Sequence, residues 1–283
     1  MRALGVDVSE RRGLDLVLLD GSPGPAALRS NLRPETLAEL VRELRPDVVA
    51  VDSPPAWGAR GGSRRAEQQL RRLAIHSYGT PSDPRKRDHA FYGWMKVGFR
   101  VFAVTGSVGF PIYRRGAVRG TTVEVFPHAT AVVLADGLPP AAVPKHTWRA
   151  AVLRAQGLDV ALLRSADLID AALAALTGLY ALRGEFVATG DPEEGVIVLP
   201  IRALPPHPYR RCTQPPAAAP QLTLPGLSPC ACGQSECRAM TSHEFAPGHD
   251  AKRKAQLWAQ VRHGAEAREE LRRRGWELPP ELK

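Results

Sequence analysis

Four acidic side chains fall where a carboxylate is hard to place unless something uses it. Asp7 ends the strand-like run Arg2–Val8, Asp52 ends Asp47–Asp52, Glu124 lies within Thr121–Phe126, and Asp170 lies inside the apolar helical run Ala166–Leu182. An unpaired buried charge either costs several kcal/mol or is neutralised by a shifted pKa. A divalent cation shared by converging carboxylates removes that cost. Mg²⁺ is commonly held by one or two carboxylates together with substrate phosphates. In the two-metal scheme, cations roughly 3.5–4 Å apart activate the attacking water and stabilise the leaving oxygen. On that scheme Asp7 is the bridging ligand, Asp52, Glu124 and Asp170 complete the shells, and Asp167 stands in reserve. The chemistry expected is Mg²⁺- or Mn²⁺-dependent phosphoryl transfer to water.

The two helical aspartates differ in meaning. With Ser165 as N-cap, Asp167 falls in the first turn, where a carboxylate simply complements the helix dipole. Asp170 lies beyond that turn among Leu168, Ile169, Ala171, Ala172 and Leu173, where capping does not account for it. The pair is three residues apart and shares one helix face. His128, four residues after Glu124, is placed to position water or phosphate, or is a plain histidine at a helix N-terminus.

The elements that must position these groups read as a mixed α/β sheet. Val6–Asp20 has the pattern of a hairpin turning through Ser9–Gly13. Pro34 opens a helix with Leu37, Leu40, Val41 and Leu44 at helical spacing, and a buried strand, Val48–Val51, follows. After the Pro/Gly loop Ser53–Gly62 come an Arg-rich helix over Ser63–Ile75 and a helix over Asp88–Val104. The second carries Phe91, Trp94, Met95, Phe99 and Phe102, an aromatic stripe of core type. A strand near Val108–Ile112, helices around Ala129–Ala135 and Lys145–Gln156, and a closing hairpin of Phe186–Ala188 with Val196–Leu199 complete residues 1–200. Nine prolines among Pro200–Pro229 mark residues 201–229 as a stiff or disordered linker, and residues 230–283 form a third piece.

Charge is concentrated. Of the net +9, the block Trp57–Arg119 holds 13 Lys/Arg against 3 Asp/Glu, and the rest of the chain sums to about −1. Lying in sequence between Asp52 and Glu124, this block is expected to cover the acidic cluster. It would attract DNA or RNA phosphates while the acids hold the metal, unless it is only a solvated Arg-rich face. No run approaches the roughly 18 apolar residues of a spanning helix, so no membrane partner is expected. The start of the chain lacks a signal-peptide apolar core, which points to the cytoplasm.

Several of these stretches resemble a bacterial family of predicted nucleases with the ribonuclease H-like fold, domain of unknown function 429. They are GVDVSE at Gly5–Glu10, VAVDSPPAWG at Val49–Gly58 and RRAEQQLRRLAIHSYGTPS at Arg64–Ser82, then VEVFPHA at Val123–Ala129 and DLIDAALAALTGLYAL at Asp167–Leu182. The resemblance spans roughly residues 1–200. It implies a mixed five-stranded sheet with antiparallel opening strands, flanked by helices, and an acidic metal site of Asp7, Asp52, Glu124 and Asp170. Ribonuclease H itself draws an acid from the first helix after the hairpin. Here that helix offers Glu35, Glu39 and Glu43, and Glu124 would serve instead.

The C-terminal piece has its own chemistry. Cys230, Cys232 and Cys237, with His249, read C-x-C-x4-C-x11-H, a donor set for structural Zn²⁺, and His243 is the other choice for fourth ligand. A helix from His249–Asp250 to about Arg274, rich in Lys and Arg, resembles an accessory nucleic-acid-binding element or a folding staple. Cys212 stands alone. The expected function is a metal-dependent nuclease acting on DNA or RNA. The alternative is a non-catalytic nucleic-acid-binding protein with a nuclease-like fold. An actin-like ATPase needs a Gly-rich phosphate loop after the first strand, and Ser9–Gly13 does not supply one.

Overall fold

The computed structural model describes residues 1–213, 228–229, 240–241, 257–258, 265–274 and 276. The chain forms two compact units, Met1–Gln221 and Leu222–Lys283. The first contains a seven-stranded mixed sheet flanked by helices. Its strands are β1 (Ala3–Ser9), β2 (Gly13–Leu19), β3 (Ala27–Leu32), β4 (Val48–Asp52), β5 (Thr122–Val125), β6 (Val187–Asp191) and β7 (Gly195–Leu199). Their order is β3-β2-β1-β4-β5-β7-β6. The strands β1, β4, β5 and β7 run parallel, while β2, β3 and β6 are antiparallel to their neighbours.

Three differences from the expected sheet have clear causes. The closing hairpin β6–β7 adds to the far side of β5, which raises five strands to seven. The edge strand β3 goes unseen in the sequence because Arg29–Asn31 are exposed and give it no buried alternation. The strand expected near Val108–Ile112 is instead a helix end. Gly109 has a φ of +94°, Phe110 N–H bonds Thr105 O at 3.0 Å, and only Ile112 bridges to Thr122.

The period-two alternation of the strands divides the core. Leu4, Val6, Val8, Val49 and Val51 face α1 (Leu37–Leu44) and part of α4 (Gly93–Ser107). Ala3, Gly5, Val48 and Ala50 face α7 (Ala166–Leu182), which α5 (Pro127–Leu134) and α6 (Lys145–Ala155) flank. The helix α2 (Arg65–Arg72) packs on β6 and β7. Between α2 and α4 lie a single helical turn, α3 (Pro84–Arg87), and a 3₁₀ turn, Ala90–Tyr92. The 3₁₀ turn replaces the first part of the helix expected from Asp88, and α4 begins only at Gly93. Of the aromatic stripe, Phe102 is buried while Phe91 is 44% exposed.

Residues 201–213 are docked on this unit. Tyr209 is buried and its N–H bonds Leu73 O at 3.1 Å, while Leu138 exchanges backbone bonds with Arg210 and Cys212. In the second unit Pro229 pairs with Met240, and Leu257, Ala267 and Leu271 are buried together with Trp258 and Trp276 packed on them. Helix α8 spans Ala265–Arg273. Among the described residues no helix is long and apolar enough to cross a membrane.

Candidate metal centre

Strand register brings the first two carboxylates together. Asp7 stands opposite Asp52 across the parallel β1–β4 ladder and opposite Asp15 across β1–β2. Both Asp7 and Asp52 continue the face that carries Gly5 and Ala50, so they point to the α7 side. Gly5 sets how closely α7 can lie. A Cβ at this position would stand 1.9 Å from Ala171 O and 2.4 Å from Ala175 N. Because α7 rests on bare backbone there, Asp170, the residue before Ala171, comes down over the strand ends. Carboxylate oxygens of Asp7, Asp52 and Asp170 all lie within 4.8 Å of one another, the one such group of metal-ligating type among the described residues.

The charges are poorly compensated. Burial pushes the Asp7 carboxyl well above its ordinary value, and Asp52, Asp170, Asp167 and Asp15 push it further. Burial and then Asp170 raise Asp52, which Arg149 pulls back and Glu124 raises again. Asp170 is raised by burial and lowered by Arg149, whose Nη1 donates to Oδ1 and Oδ2 at 2.6 and 2.5 Å. Arg149 is thus the cation that acts on the triad. It lies on α6, one turn after Lys145, and nothing in its sequence context marks it for this role.

Asp167 takes a different partner. Ser165 Oγ accepts from Leu168 N–H at 3.0 Å and caps α7, as its sequence predicts. Asp167 in that first turn accepts from Arg12 Nη2 at 3.0 Å and forms an ion pair with it, so it is tied to the β1–β2 turn. Its carboxyl is raised by burial against the pull of Arg12.

Glu124 faces the other way. It is in register with Val51, not with Asp52, so the pleat turns it away from α7. There Arg64 donates to both of its oxygens at 2.5 and 2.8 Å. Arg64 is 1% exposed and also donates to Glu67 at 3.0 Å, while Glu67 accepts from Thr80 N–H and Oγ1. Burial alone would lower the Arg64 pKa, but the two glutamates more than offset it and keep the guanidinium charged. The sequence signal for this network was Arg64 opening a helix with Glu67 three residues on.

His128 is buried against Trp148 and Phe126, and its Nδ1 has no partner. Burial first, then Arg149 and Lys145, lower its pKa to about 4, so it is neutral at physiological pH. Members of the basic block scatter rather than gather at the triad. Arg64 goes to Glu124, Arg87 lies over Trp57, Arg114 donates to Pro192 O, and Arg119 pairs with Asp47. Of the expected zinc donors, Cys230, Cys232, Cys237, His249 and His243 lie outside the described residues. Pro229 and Met240, the paired strand residues, bracket the three cysteines in sequence.

Hard oxygen donors, a shortage of local cations and raised carboxyl pKa values fit a divalent cation at Asp7, Asp52 and Asp170. Comparison with known proteins adds the family and little else. No curated protein and no solved structure matches this sequence. Residues 5–194 match the family model described as "Protein of unknown function (DUF429)", a span that includes Asp7, Asp52, Glu124 and Asp170. The chain therefore belongs to the DUF429 family.

Proposed function

We propose that this protein is a divalent-metal-dependent nuclease, hydrolysing a phosphodiester of DNA or RNA to a phosphomonoester and an alcohol. The observation that carries the reading is the convergence of Asp7, Asp52 and Asp170 within 4.8 Å at the carboxyl ends of two parallel strands. Such strand ends are where open α/β sheets place their reactive groups. The order β3-β2-β1-β4-β5, with antiparallel opening strands, supports a ribonuclease H-like reading of the sheet's first five strands.

Mg²⁺ or Mn²⁺ held there supplies a Lewis acid for a phosphoryl oxygen and a more acidic water. The chain's own part is to keep three carboxylates aligned on rigid elements, with Gly5 admitting α7 and Arg149 restraining Asp170. Three converging carboxylates account for one cation. A second would draw on Asp167, now held by Arg12, because Glu124 lies on the other face of the sheet. In the C-terminal unit, Zn²⁺ on Cys230, Cys232, Cys237 and His249 is proposed as a folding staple beside the nucleic acid.

The test compares wild type with Asp7→Asn on single- and double-stranded DNA and RNA, with Mg²⁺, with Mn²⁺ and with chelator. Cleavage should need the metal and disappear in Asp7→Asn while nucleic-acid binding persists. Equal cleavage by both proteins would refute the reading. The pairing of Asp170 with Arg149 favours one second reading, a nucleic-acid-binding protein whose metal site stays closed. That reading predicts binding with no metal uptake at Asp7.

A further inference from the structure

On the face of the sheet opposite α7, at the same strand ends, lies a cleft of about 210 Å³. Asp52 lines it as well as the metal centre, so one residue belongs to both sites. Its volume is below the roughly 300–1,000 Å³ that takes a drug-sized ligand whole. The cleft therefore suits one ring-sized part of a larger ligand.

Its lining states what that part is. Arg64 in the lining is held by both Glu124 and Glu67, so the cleft offers no free cation and does not call for an anionic group. Trp94 lines one wall and makes no ring, cation–π or hydrogen-bond contact with any described residue. Phe126 lines it as well. Ser77 also lines the cleft, and its Oγ, shielded from solvent just behind the surface, has no hydrogen-bond partner. A shielded hydroxyl without a partner calls for an explanation, and a free indole beside it narrows the choice. Flat aromatic walls with one unpaired polar atom suit a neutral heteroaromatic ring with a hydrogen-bonding edge.

We infer that this cleft is a nucleobase pocket, which takes the base of the nucleotide whose phosphate faces Asp7, Asp52 and Asp170. The base stacks on Trp94 and turns a polar edge to Ser77. The inference rests on the nuclease reading for the placement of that phosphate. It implies that the substrate is single-stranded or presents an unstacked base, because a paired base cannot enter a pocket of this kind.

The experiment uses the full chain with Mn²⁺ and two kinds of probe, nucleoside 5′-monophosphates and ribose 5-phosphate, followed by calorimetry and tryptophan fluorescence. The nucleotides should bind about tenfold more tightly than ribose 5-phosphate, within the range that stacking one base supplies. Trp94→Leu should bring nucleotide binding down to the ribose 5-phosphate level and remove the fluorescence quench. Ser77→Ala, a smaller change that spares the fold, should weaken nucleotides and leave ribose 5-phosphate unchanged. Equal binding of the two probes by wild type, or nucleotide binding untouched by both substitutions, overturns the pocket. Cleavage of oligonucleotides is scored separately. Nucleotide binding without any metal-dependent cleavage defeats the nuclease reading and keeps the pocket. Cleavage and nucleotide binding both unchanged in Trp94→Leu do the reverse.

Discussion

Asp52 and Glu124 lie on neighbouring parallel strands and face opposite sides of the sheet, because Glu124 pairs in register with Val51. One residue of offset decides which acid can share a cation with Asp7 and which becomes the partner of a buried arginine. The two acids should therefore fail differently. Glu124→Gln leaves Arg64 with Glu67 alone. Breaking a buried ion pair costs about 3–5 kcal/mol, and the remaining glutamate puts this case at the low end. We expect a loss of about 3 kcal/mol in urea denaturation, with Mn²⁺ affinity by calorimetry unchanged. Weaker Mn²⁺ binding without lost stability would put Glu124 in the metal shell instead.

Asp7→Asn should do the opposite. Burial and three neighbouring aspartates, besides Asp52, raise the Asp7 carboxyl well above its ordinary value. Between the ordinary value and the raised one, the folded chain holds a proton that the unfolded chain has released. Stability conferred by that proton is complete at low pH and declines as pH rises through this window. As pH rises above the ordinary carboxylate range, burial and the neighbouring aspartates increasingly oppose ionisation of Asp7 in the metal-free wild type, and Asp7→Asn removes that cost. Each kcal/mol recovered moves the melting temperature by about 2–4 °C in a domain of this size. The variant should melt higher than wild type at pH 7.5 without metal and lose that advantage at pH 4. Mn²⁺ should raise the melting temperature of wild type only. A variant that melts lower than wild type at pH 7.5 without metal would show that the repulsion is relieved some other way.

The sequence carried the strands that hold the triad because β1, β4 and helix α7 are strongly patterned, and an aspartate within such patterns stands out. Their register was not legible. Whether Glu124 joins Asp52 depends on a pairing between strands separated by about seventy residues, and a shift of one position reverses the answer. Arg149 was invisible for a related reason. It is one arginine on an ordinary helix until folding sets it against Asp170. The edge strand β3 was missed because its side chains are largely exposed, so its hydrogen bonds rather than its burial define it.

His128 gives an acid-side prediction of opposite sign to Asp7. Its folded-state pKa of about 4 lies below the ordinary value of 6.5. The neutral ring contributes its full stability above the unfolded pKa. That contribution is lost as pH falls from about 6.5 towards about 4, where the unfolded chain takes up a proton that the folded chain resists. The loss should approach about 3 kcal/mol. His128→Gln cannot titrate, so its stability should fall less steeply than that of wild type across this window in chemical denaturation at stepped pH. Parallel slopes for the two proteins would mean that His128 is protonated in the fold or is more exposed to solvent than its packing against Trp148 implies.

Arg149 stands where it can both support and oppose a metal. In the metal-free protein it is the cation that offsets Asp52 and Asp170, and it holds both oxygens of Asp170. A divalent cation competes with it for those oxygens and is repelled by its charge. Arg149→Met keeps much of the side-chain volume and removes both effects. The metal-free variant should melt lower than wild type, since three partly buried carboxylates are left without a counter-ion. Its Mn²⁺ affinity should rise about tenfold, equivalent to about 1.4 kcal/mol of relieved competition. Saturating Mn²⁺ should then restore the melting temperature by mass action on the folded state. Calorimetric titration and melts with and without Mn²⁺ give both readings from one preparation. If Mn²⁺ binds more weakly to Arg149→Met, the arginine is not a rival of the metal but the group that aims Asp170 at it.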